Sequence, residues 1–143
     1  MLPLIREEHS EDEAAVAAIV ERAFGRLLEA NLVASLRRDG AAALSLVAEQ
    51  EGRVLGHVLF SPVIIEGEAE GFPAAALAPL AVLPAFQRLG IGSALVSAGL
   101  ARCREIGFSR VLVLGDPAYY QRFGFAASPD NPLLLFLSAK VLG

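Results

Sequence analysis

The sequence predicts an α/β fold with helices packed on a mixed sheet, and three observations carry that expectation. Val16, Ile19, Val20, Ala23 and Phe24 recur at the three-and-four spacing of an amphipathic helix. Two β-rich runs, ALSLVAEQ (43–50) and RVLGHVLFSPVII (53–65), are separated only by Glu51-Gly52, the composition of a tight antiparallel hairpin. RVLVLG (110–115) follows a helical pattern and lacks polar alternation, as expected of a strand covered on both faces.

The elements follow in order. LPLIR (2–6) suits a first strand, and Ser10 with Glu13 has the capping-box spacing, which predicts a helix starting there and interrupted at Gly25. A second helix is expected over 27–38, ending near Arg37-Arg38-Asp39-Gly40. After the hairpin, EGEAEGFP (66–73) reads as a loop and AAALAPLAV (74–82) as a third apolar strand. SALVSAGLARCREIG (93–107) reads as a helix ended by Gly107. Its Ser93, Ser97 and Arg104 share one face and Leu95, Val96, Cys103 and Ile106 the other, so it should lie on the sheet. Asp116-Pro117 places a capping side chain before a proline suited to the first helical position, opening a short helix that Gly124 ends. FAAS and NPLLLFLSAKV suggest two last strands, giving the order β-α-α-β-β-β-α-β-α-β-β.

Composition narrows the function. With 143 residues and 55% hydrophobic content, residues 1–143 are expected to form a single domain with a substantial core. A net charge of −4, with Lys and Arg totalling 12 and scattered, offers no basic field for nucleic acid. Cys103 is the only cysteine, so no internal disulfide and no multi-cysteine zinc site can form, and its helical spacing makes it core filler. The N-terminus reads as a strand and a capped helix rather than a signal peptide. The most apolar stretch, PAAALAPLAVLPAF (73–86), is proline-broken and shorter than the ~20 residues of a membrane span. The expectation is a soluble, cytoplasmic protein with no membrane partner and no metal.

One stretch points to a ligand. QRLGIGSAL (87–95) holds Gly90 and Gly92 between a strand and a helix. The first helical amides lack partners and the helix dipole favours an anion in front of them, so such a turn can cradle a pyrophosphate. The glycines let a ligand approach the amides, and Gln87 and Arg88 can add donors at the edge. An ordinary strand-to-helix connection would use the same residues. A P-loop fails, because Gly92 is followed by Ser93 with no lysine between. A dinucleotide fingerprint fails at Leu95, where its third glycine belongs, and at the next strand, which ends in Gly115 with Asp116 arriving late.

Coenzyme A remains, and here the residues match a family. LAPLAVLPAFQRLGIGSALV (77–96) resembles motif A of the GNAT superfamily of N-acetyltransferases, a strand, a Q/R-x-x-G-x-G/A loop and a helix. AYYQRFGF (118–125) resembles its motif B, a tyrosine four residues ahead of Gly-Phe. The resemblance implies a GNAT-like, mostly antiparallel sheet flanked by helices, with acetyl-CoA as cosubstrate. It implies that the amides of Arg88, Leu89, Gly90, Ile91, Gly92 and Ser93, with Gln87 beside them, hold the pyrophosphate. It further implies that the strand around Leu80, Ala81 and Val82 bonds the pantetheine arm and the acetyl carbonyl. Pro79 and Pro84 support this, since proline cannot donate to a sheet ladder and pairing there should be interrupted. Leu89 departs from the family, where a glycine or a basic residue is frequent.

The implied reaction moves an acetyl group from the thioester to a primary amine of a small molecule or peptide. Tyr120 matches the family tyrosine and is expected to protonate the departing thiolate, a phenol near pKa 10 being a suitable donor. Tyr119 is expected to be packing. The general base has no clear candidate: 74–82 contains no acid, and Glu49 and His57 on the hairpin read better as solvent-facing strand residues. His9 is expected at the surface. A non-catalytic coenzyme A or acyl-CoA binding module is the alternative. The chain stops soon after its last strand, so the acceptor side is expected to be open or completed by a homodimer partner.

Overall fold

Residues 3–64, 73–129 and 134–138 are described in the computed structural model. The loop expected over 66–73 falls, apart from Pro73, outside them, as do the ends of the last predicted strand. The elements are β1 (Leu4–Glu7), α1 (Glu13–Phe24), α2 (Leu28–Arg38), β2 (Leu44–Gln50), β3 (Arg53–Val63), β4 (Ala74–Val82), α3 (Ile91–Ile106), β5 (Arg110–Leu114), α4 (Pro117–Tyr120), β6 (Ala126–Ala127) and β7 (Leu134–Ser138). They form one mixed 7-stranded sheet in the order β1-β2-β3-β4-β5-β7-β6, in which only β4 and β5 run parallel. The predicted order of elements and the α/β class are those observed.

The β2–β3 hairpin closes as expected, with Glu51 (φ 53°) and Gly52 (φ 77°) both left-handed, the twist that matches right-handed strands. Alternation along β3 assigns the two faces of the sheet. Gly56 and Phe60 meet α3, through Leu95 and Ile91 at one point and Gly99 at the other. His57 and Ser61 therefore point to the opposite face, where α1 packs over β3 and β4. Phe60, Leu46, Leu77 and Leu95 fill the α3 side, and Val16, Ile19 and Val20 bring α1 into the core.

Several local expectations are corrected. Ser10 does not cap the first helix in a box with Glu13: residues Ser10–Asp12 form a 3-10 turn, and Asp12 accepts the His9 N–H at 2.7 Å. Arg6 draws the carboxylate there with two hydrogen bonds of 2.8 and 3.1 Å from β1, and its guanidinium holds Asp12 well down, at about 2. α3 begins at Ile91 rather than at residue 93, so Gly92 lies inside its first turn. Phe24, at the edge of the α1 stripe, is 41% exposed, and Ile106 is 48% exposed in the last turn of α3, where Arg104 and Glu105 are exposed too. β5 is not covered on both faces. Val111 and Val113 are buried, whereas Leu112 is half-buried and Leu114 is 70% exposed, because among the described residues α1 packs over β3 and β4 rather than over that side of β5.

Candidate active site

The site is built where β4 ends and α3 begins. The Leu83 N–H donates to the Leu55 carbonyl at 2.9 Å, the chain turns through Pro84–Phe86, and Gln87 Nε2 donates back to the Val82 carbonyl at 3.0 Å. Gln87 thereby pins the turn to the strand. Arg88 (φ 65°) and the N-cap Gly90 (φ 88°) then take left-handed conformations that aim the chain into α3. No side chain caps this helix, and among the described residues no acceptor is bonded to the backbone N–H groups of residues 88–93. Unpaired donors at the positive end of a 16-residue helix are chemically suited to an anion.

Arg88, Gly90, Gly92 and Ser93 of this stretch line a cleft of about 340 Å³. Leu80 and Val82 form its strand wall, Gln87, Arg88, Gly90, Gly92 and Ser93 its loop wall, and Tyr119 and Arg122 close it from the α4 side. Its charged lining residues, Arg88 and Arg122, are both cationic. The Arg122 guanidinium lies 4.1 Å from the centre of the Tyr119 ring, and its Nε donates to the Tyr119 carbonyl at 3.0 Å. A Cβ at Gly92 would stand 2.8 Å from the Tyr119 hydroxyl, so a side chain there would close the cleft against the helix amides.

The second feature is a parting of strands. β4 and β5 pair only at Ala74–Ala76 with Arg110–Leu112, and β4 continues to Val82 without that neighbour. The β3–β4 register also slips between Val58 and Phe60, opposite Pro79. The interruption expected from the prolines is present, and main-chain groups on the β5 side of Leu77–Val82 have no ladder partner among the described residues.

Of the residues singled out from the sequence, Leu80, Val82, Gln87, Arg88, Gly90, Gly92 and Ser93 line the cleft together. The side chains of three others point elsewhere. Ala81 pairs with His57 on the α1 side, Leu89 is 64% exposed, and Ile91 packs near Gly56. Tyr120 is buried behind the cleft wall, its ring 4.9 Å from Tyr119 and 5.7 Å from Phe125. Gly115 leaves it room, since a Cβ there would come within 2.7 Å of the ring. Its hydroxyl has no hydrogen-bond partner among the described residues, and burial, then the neighbouring Tyr119, pushes it up to about 12.

Tyr119 and Arg122 were not foreseen at the cleft. Their spacing of three would have been the signal, because it stacks the guanidinium on the ring, but a 4-residue helix offers no periodicity to orient it. His57 is corrected: it is fully buried rather than solvent-facing, with Nδ1 3.1 Å from the Leu46 carbonyl and Nε2 unpaired, and burial pulls it down to about 4. Glu49 is half-buried and ion-paired to Arg6 at 3.3 Å. His9 is exposed, as expected. Cys103 is buried, which pushes its thiol up to about 12. Among the described residues no helix is long and apolar enough to cross a membrane.

Comparison with known proteins completes the picture. Residues 5–125 match the family model described as "Acetyltransferase (GNAT) family". The chain is 43% identical over 116 residues to the uncharacterized N-acetyltransferase YjhQ of Escherichia coli K12, an alignment spanning 80% of this chain and 64% of that protein, less than two thirds of its length. It is 42% identical over 131 residues to the uncharacterized N-acetyltransferase YhbS of the same strain, covering 91% of this chain and 77% of that one. The crystal structure of E. coli YhbS in complex with CoA superposes with a TM-score of 0.88 at 36% identity, covering 100% of this chain and 86% of the other. A GNAT family acetyltransferase from Brucella melitensis, solved in complex with acetyl-CoA, superposes with a TM-score of 0.85 at 41% identity, covering 94% and 86%.

Proposed function

We propose a function from one premise: the chain belongs to the GNAT acetyltransferase family, whose cosubstrate is acetyl-CoA. It transfers an acetyl group from acetyl-CoA to a primary amine of a small molecule or peptide, by direct attack, within one domain spanning residues 1–143. The observation that supports this best is the set of unbonded N–H groups of residues 88–93 at the start of α3, facing a cleft with Arg88 and Arg122 on its walls. Those groups suit a diphosphate, and the bare side of β4 suits an extended amide-bearing arm. We place the chain in a reducing, cytoplasmic compartment, with which a single buried thiol agrees.

Bound acetyl-CoA supplies a thioester: a neutral amine adds to its carbonyl carbon, the C–N bond forms as the C–S bond breaks, the nitrogen gives up a proton to solvent water, and the sulfur leaves as a thiolate. The N–H groups of residues 88–93 hold the diphosphate oxygens, with the α3 dipole behind them and Arg88 and Arg122 screening the charge. Main-chain donors around Leu80, Ala81 and Val82, left free by the parting of β4 from β5, hold the carbonyl oxygen as negative charge develops on it. Tyr120 delivers the proton the thiolate needs. Its phenol, pushed up to about 12 by burial, is protonated at neutral pH and regains its proton from solvent after each transfer.

Incubating the chain with acetyl-CoA and a broad amine panel, and reading acetylated products by mass, tests the proposal. Product formation that depends on the chain supports it. Acetyl-CoA binding without any product would favour the non-catalytic coenzyme A module, a reading supported by the absence of a carboxylate or histidine among the described cleft residues.

A further inference from the structure

On the opposite face of the sheet from α3 lies a second groove, of about 380 Å³. Ala76 pairs with Ser61 and with Leu112, and Leu112 pairs with Phe136, so these three side chains point away from α3. Leu114, two residues on from Leu112 and 70% exposed, extends the same surface. The described lining residues, from Val63 to Phe136, are all apolar, and none is charged or titratable.

Its position is the informative part. The groove takes in Ala76 and Leu112, the last pair that β4 and β5 make, together with Leu77, Ala78, Val113 and Leu114 just beyond it. By alternation Leu77 and Val113 belong to the α3 face, yet they line this groove, so it reaches into the parting between the strands. The cleft with Leu80 and Val82 lies further along the same strand on the other face. The two cavities therefore abut one gap from opposite sides.

We propose, resting on the transferase reading above, that this groove receives the apolar body of the acceptor, making the substrate class a primary amine on an aliphatic or aromatic skeleton. Continuity with the gap selects the acceptor as occupant, since its nitrogen has to meet the thioester there. The apolar walls also address the proton problem. They disfavour the ammonium and favour the neutral amine, which is the form that attacks. Against the described lining a polyamine or a zwitterion would have to bury unpaired charge, which disfavours both.

The test compares kcat/KM for primary n-alkylamines from propylamine to hexylamine with spermidine and a lysine-containing peptide. Alongside, calorimetry follows hexylamine binding to the chain saturated with CoA. Within the groove each added methylene should raise kcat/KM about fourfold. Leu114→Asp should flatten that series and weaken hexylamine binding about tenfold while acetyl-CoA affinity holds. A flat series in the wild type, or preference for spermidine or the peptide, would overturn the acceptor assignment and leave transfer itself intact. A dimer dispersed by Leu114→Asp, with no alkylamine binding, would overturn it in favour of a second copy on this face. Failure of acetyl-CoA to bind, or of every amine to react, would remove the transferase reading and this inference with it.

Discussion

Tyr120 and His57 are both buried by their rings, and burial moves them in opposite directions for one reason: a desolvated site spares the neutral form. For Tyr120 that means a phenol held at about 12, protonated whenever a thiolate forms nearby. Tyr120→Phe keeps the ring and removes the proton, so kcat should fall about 100-fold while calorimetric acetyl-CoA affinity stays nearly constant. An unchanged kcat would release Tyr120 from the chemistry. For His57 the consequence is stability. Its folded value of about 4 lies below the ordinary 6.5, so the unfolded chain binds the proton first. Stability contributed by the neutral ring is complete above about pH 6.5 and is lost as pH falls towards 4, by on the order of 3 kcal/mol. Asp12, held at about 2 by Arg6 against an ordinary 3.8, adds a separate loss as pH falls from about 4 to 2. Urea unfolding across this range should show both limbs, and His57→Leu should flatten the upper one alone. The burial of His57 could not be read from the chain, because alternation in β3 marks two faces without saying that helices cover both.

At the scale of elements, α3 carries both the packing and the proposed anion site. A Cβ at Gly99 would stand 2.3 Å from Phe60, so the helix lies close on the sheet because this residue has no side chain. Alanine normally favours a helix interior over glycine, but Gly99→Ala should here cost about 1–3 kcal/mol in chemical denaturation. A neutral or stabilising result would mean the helix can lift away freely. The strand, glycine loop and helix were legible in QRLGIGSAL because turn chemistry is local. The 3-10 turn that precedes α1 was not, since its Asp12 is held by Arg6 from another element. The hairpin was legible from Glu51-Gly52, whereas the bare face of β5 was not, because an apolar strand looks alike whether one side or both are covered.

At the scale of the whole molecule, the parting of β4 from β5 organises the site. It leaves one strand with donors unspent on the ladder, places a cationic cleft on the α3 side, and opens an apolar groove on the other. Pro79 and Pro84 pointed to the interruption, but which neighbour would be lost depends on the pairing of distant segments and was not visible locally. Tyr119 and Arg122 likewise reach the cleft only because α4 follows β5 back to the helix start.

The rest depends on the amide cradle proposed at residues 88–93, and isothermal titration of acetyl-CoA into the wild type and Gly92→Glu tests it most directly. The wild type should bind with measurable heat. Gly92→Glu should bind none, its side chain pressing on the Tyr119 hydroxyl and its carboxylate repelling the diphosphate. Undiminished affinity in the variant, or silence in the wild type, would place the thioester carrier elsewhere or nowhere on this chain.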